Sequence, residues 1–163
     1  MEIKLSSLIF RLNPMLTVKT ISLLLFIFTV SFAAACSNPP TATQYSVEKY
    51  EGKWFEVAKY QTVGGAYFEK NCTCTEINIK KLDTNNVNAY QGCVKNGNKV
   101  MVNATLVPTS TPGQYTEKIG LNSVGYWVLY LDEQNAVTYD CNSIAGITNY
   151  CIHILSKNPH ENL

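Results

Sequence analysis

Residues 99–107 read KVMVNATLV, and their alternation decides the fold class. Val100, Val102, Ala104 and Leu106 fall on one face, and Lys99, Met101, Asn103 and Thr105 on the other, so the segment is a strand with one face buried. Just before it, Lys95-Asn96-Gly97-Asn98 is a tight turn of the Asn-Gly type, which tolerates the positive φ that two-residue hairpins demand. That turn joins the strand to VNAYQGCV (87–94), which Asp83–Asn86 joins to CTEINIKKL (74–82). Earlier still, WFEVAKY (54–60) is the first strand, and the glycines of Val63-Gly64-Gly65-Ala66 are expected to leave the loop after it flexible. Downstream, beyond Pro108–Gly113, come TEKIGLN (116–122), GYWVLYL (125–131), AVTYDC (136–141) and TNYCIHILS (148–156). From Trp54 onward the chain carries no helical periodicity of average helix length. Eight evenly spaced, mostly hairpin-linked strands predict an all-β fold, either an up-and-down barrel or a sandwich. An eight-stranded barrel leaves room for one small ligand, whereas a sandwich fills its own core.

The ends and the composition set the compartment. Residues 21–35, ISLLLFIFTVSFAAA, are an apolar run ending in small residues, too short for a comfortable membrane span and typical of a secretory leader. Cleavage is expected before Cys36, with Met1 or Met15 as the start, which leaves residues 36–163 as one domain. A lipid on Cys36 is the rival reading, disfavoured because that signal usually has a larger aliphatic residue where Ala33 stands. The net charge of +1 and the lack of any long basic cluster argue against nucleic acid or an anionic membrane as partner. All six cysteines (36, 72, 74, 93, 141 and 151) follow the leader, which implies disulfides; Cys72-Thr-Cys74 lacks the second pair a zinc site needs. Asn71-Cys72-Thr73 and Asn103-Ala104-Thr105 are glycosylation sequons, and Asn103 lies on the outer face of its strand.

Three motifs follow one another in order: Cys36-Ser-Asn-Pro-Pro with Gly52-Lys-Trp54, then Gly125-Tyr-Trp-Val-Leu-Tyr-Leu-Asp132, then Ile154-Leu-Ser-Lys-Asn-Pro159. Together they resemble the lipocalin family, and within it the branch of apolipoprotein D and the insect bilin-binding proteins. The resemblance implies an eight-stranded antiparallel calyx, closed at one end by a short helical turn before the first strand. It also implies a structural role for Gly52, Trp54 and Lys157, with the Lys157 ammonium over the Trp54 indole, a contact worth roughly 0.5 to 2 kcal/mol. It pairs Cys36 with Cys141 and leaves Cys72, Cys74, Cys93 and Cys151 open. Departures are Leu131-Asp132-Glu133 in the second region and Lys157 where the family has arginine. The chain also stops at Leu163, short of the family's C-terminal helix, so the domain is read as minimal or truncated.

From the inward face of such a barrel follows a carrier of a small hydrophobic ligand: a fatty acid, sterol, retinoid or bilin-type pigment. Alternation turns Ile77, Ile79, Val102, Ala104 and Leu106 inward. In GYWVLYL both faces are apolar, and the resemblance favours Tyr126, Val128 and Tyr130. His153 falls where it can face the cavity, either as a donor to a ligand or as an ordinary satisfied histidine. The expectation is a secreted monomer or weak dimer, without a stable membrane anchor, cofactor, metal or chemistry of its own. The alternatives are a lipid isomerase using an unpaired Cys93 or Cys151, and an inhibitor or scavenger acting through its open-end loops.

Overall fold

A computed structural model describes residues 35–83 and 86–161; the expected leader up to residue 34 and the middle of the Asp83–Asn86 turn lie outside the described residues. A four-residue helix, α1 (Val47–Tyr50), precedes eight strands: β1 (Gly52–Gln61), β2 (Cys72–Lys81), β3 (Val87–Lys95), β4 (Asn98–Pro108), β5 (Gln114–Ile119), β6 (Asn122–Leu131), β7 (Asn135–Ile144) and β8 (Ile147–Ser156). Each strand pairs antiparallel with the next, and β1 pairs with β8, so the sheet closes into a barrel in simple up-and-down order. Closure removes the free edges that an eight-stranded sheet would otherwise expose.

The strand positions follow the alternation, and the turns follow backbone chemistry. Asn96 and Gly97 both have positive φ between β3 and β4, as do Ala145 and Gly146 between β7 and β8. The expected strand over 116–122 is corrected, because Gly120 takes φ +58° and the chain turns at Gly120-Leu121 before β6 starts.

Alternation fails at β6 for a local reason. Val128 faces Thr138 but Tyr130 faces Val137, so β6 carries one extra residue there. Such a bulge reverses which face the following side chains take. Tyr130 therefore points outward, 50% exposed, its hydroxyl donating to Asp132 Oδ2 at 2.6 Å, while Leu131 packs against the core. This corrects the inward reading of Tyr130.

The outward apolar residues of β6 also find cover. The arm before α1 crosses the outside of β6 and β7: Cys36 is disulfide-bonded to Cys141, Ala42 N–H donates to Val128 O at 2.9 Å, and Trp127 Nε1 donates to Asn38 Oδ1 at 2.9 Å. Trp127, Tyr139 and Cys141 form a buried outer cluster, with Cys36 and Leu129 against it. A second disulfide joins Cys72 to Cys93, and Cys74 and Cys151 are free thiols. Asn71 and Asn103 are both exposed.

Candidate functional site

The barrel has a packed end and an open one. At the packed end Trp54 is fully buried; its Nε1 donates to Tyr50 O at 2.8 Å, and the Lys157 ammonium lies 3.7 Å from its ring centroid. Lys157 Nζ also donates to Glu51 O at 3.0 Å. Gly52 is required beside it, with φ +108° and a hypothetical Cβ only 2.9 Å from Lys157 Nζ. Tyr50, Ile79, Val87, Leu106, Val128, Ala136 and Leu155 fill the rest of this end, and the Tyr50 and Tyr126 hydroxyls share a hydrogen bond of 2.5 Å.

Above that floor lies a band of charge. His153 is buried between two carboxylates, Nδ1 to Glu56 Oε2 at 2.5 Å and Nε2 to Asp140 Oδ2 at 2.9 Å. Burial opposes a charged imidazole, but the bonds to Asp140, Cys151 and Glu56 and the charge of Glu69 outweigh it and hold the His153 pKa well above its ordinary value. His153 is thus an imidazolium donating both ring protons. Lys59 bridges Glu56 at 3.2 Å and Glu69 at 2.8 Å. Burial pushes the Glu69 carboxyl up, and its Oε1 has no hydrogen-bond partner among the described residues.

The open end holds a chamber of about 340 Å³ bounded by Glu117, Asp140, Ile119, Asn122, Val124 and the loop after β1. A smaller space beneath it is bounded by Phe68, Ile77, Ala89, Gln91, Glu117, Tyr126, Asp140 and His153. The loop is held against β8 through Thr62 N–H to Tyr150 O at 3.0 Å. Its glycines serve close approach: a Cβ on Gly65 would lie 2.0 Å from Tyr150 O, and one on Gly64 would lie 2.2 Å from Asn149 Oδ1. That approach lets a 3-10 turn, Tyr67–Glu69, lower Phe68 and Glu69 into the barrel.

No protein-family model matches the chain. Apolipoprotein D of Cavia porcellus is 30% identical to it over 145 residues, which cover 77% of this chain and 67% of that protein. The chain is a lipocalin. A putative lipocalin of Acanthamoeba polyphaga mimivirus is 26% identical over 96 residues, 53% of this chain and 54% of the viral protein. In fold, the barrel is similar to the crystal structure of lobster apocrustacyanin A1, with a TM-score of 0.54 and 16% identity; the match covers 68% of this chain and 62% of the lobster chain.

In this lipocalin the expected cavity residues divide. Ile77, Tyr126 and His153 border the inner space. Ile79, Ala104, Leu106 and Val128 are inward but packed into the floor; Val102 is inward and half-buried. Cys93 is disulfide-bonded, which corrects its reading as an available nucleophile, and burial pushes up the pKa of the free Cys151 thiol. Glu56, Lys59, Glu69, Glu117 and Asp140 were not expected in the interior. Three of them were within reach of the alternation, since Glu56 shares a face with Trp54, Glu117 with Tyr115 and Ile119, and Asp140 with Ala136 and Thr138. Glu69 was not, because it arrives on a loop.

Glu117 gives the lipocalin a pH signature. Burial first, then the charge of Asp140, pushes its carboxyl up to about 8. The unfolded chain gives up that proton near pH 4.5 and the folded one only near 8, so stability falls between those values, by roughly 1 kcal/mol per pH unit. Glu117→Gln is expected to flatten that slope and to raise the unfolding temperature at pH 8, as read by calorimetry at several pH values.

Proposed function

We propose that this lipocalin is an exported carrier that holds one small, largely hydrophobic molecule at the open end of its barrel. The observation that carries the reading is the chamber of about 340 Å³, walled by Ile119, Val124 and Phe68 and roofed by a loop pinned to β8. Its volume is at the low end of small-molecule sites, which run to about 1,000 Å³. Export is supported by the leader-like residues 21–35 and by two disulfides, which persist in oxidising compartments. Catalysis is not supported: the remaining interior thiol, Cys151, is buried with its pKa raised, which opposes the nucleophilic thiolate.

Nile red, a neutral apolar fluorophore, is expected to bind saturably at one site per chain. Val124→Trp fills the chamber from β6 and should abolish that binding while leaving the unfolding midpoint within about 1 kcal/mol of the parent. Equal Nile red binding by both proteins would contradict this location.

A further inference from the structure

The chamber that a hydrophobic cargo would occupy is lined by acids without free cations. Glu117 is 7% exposed, borders both the chamber and the smaller space beneath it, and has no hydrogen-bonding or ion-pairing partner among the described residues. Asp140 borders the same two spaces and, among the described residues, engages only Oδ2, with His153. The nearby cations are already committed, Lys59 to Glu56 and Glu69 and His153 to Glu56 and Asp140. The rest of the chamber wall is glycine, alanine, apolar and aromatic side chains and asparagine amides. An unpaired buried carboxylate is costly unless it is protonated or meets a positive charge.

We propose that the chamber selects a small amine, whose ammonium sits between Glu117 and Asp140 while its apolar body rests on Ile119, Val124 and Phe68. This rests on the carrier reading and narrows it to a basic cargo. A fatty acid would instead bring its carboxylate beside that of Asp140 and would oppose, rather than favour, ionisation of Glu117. A metal ion fits less well, although Glu56, Glu69 and His153, or Asp140, Cys151 and His153, bring donor atoms within 4.8 Å of one another. A metal would need a free imidazole lone pair, and both His153 nitrogens are donating; in the first set it would also have to displace Lys59.

Proton exchange follows from the same geometry. Glu117 faces Asp140, His153 and Glu69, with the Tyr126 and Tyr50 hydroxyls below it. Its carboxyl, at about 8 when the chamber is empty, ionises when an ammonium arrives. Binding at pH 7 should therefore release on the order of one proton.

The test is calorimetric titration of the full mature chain with three probes sharing one body: tryptamine, 3-ethylindole and indole-3-propionate. A parallel set of octylamine, octanol and octanoate covers a different body shape. In at least one set the amine should bind on the order of tenfold more tightly than the neutral probe, with the acid weakest. Runs in buffers of differing ionisation enthalpy should show the proton release. Glu117→Gln should lose both the preference for the amine over the neutral probe and the proton release. If neutral probes bind and neither amine binds better, the amine proposal fails and the carrier reading stands. If neither these probes nor Nile red binds, the carrier reading fails and this proposal with it.

Discussion

Trp54→Ala is expected to cost the barrel about 3–5 kcal/mol, the range for removing a large buried aromatic, read as a fall in the urea unfolding midpoint at unchanged slope. The size comes from three losses at one place. A fully buried indole leaves a void among Tyr50, Ile79 and Leu155. The Tyr50 carbonyl loses the donor that reaches it at 2.8 Å. The Lys157 ammonium, whose pKa burial already pushes down, loses the ring 3.7 Å beneath it. Trp54→Phe keeps a ring but not the N–H, and should cost less than the alanine change. A Trp54→Ala protein within about 1 kcal/mol of the parent would mean that the packed end does not depend on this residue.

Removing the cation from the charged band should be comparably damaging. His153→Ala leaves Glu56 and Asp140 facing each other across a cavity with Lys59 as the nearby cation, and losing one partner of a buried ion pair costs about 3–5 kcal/mol. The dependence on pH separates this from mere loss of volume. Because the His153 pKa is raised in the folded state, its charge stabilises fully below about 6.5, the ordinary value for an unfolded histidine, and that stability is lost as pH rises through the folded value. The gap between parent and variant should therefore be widest in mild acid and narrow on the alkaline side. A gap independent of pH between 6 and 10 would show that the imidazole contributes packing alone.

How much of this was legible in the sequence depends on the kind of residue. Strand order and the barrel's packed end were legible because alternation is strict in KVMVNATLV and because Gly52, Trp54 and Lys157 belong to motifs with a shared geometry. Tyr130 was misread because one extra residue in β6 reverses the faces, and a run apolar on both sides hides that shift. The outward half of the run, Trp127 and Leu129, is apolar because the amino-terminal arm covers it. The cavity was expected to be apolar with a few polar groups, and its charged band went unread because each carboxylate looked like a solvated strand residue. Only closure of the barrel brings Glu56, Glu117, Asp140 and His153 from four strands to one level, and only the glycine-dependent approach of the loop adds Glu69.

Native mass spectrometry of the protein recovered from its natural source tests the central claim most directly. The carrier account predicts one non-covalently held small molecule per chain, released on unfolding. A protein whose native and denatured masses agree, with no molecule released, would contradict it.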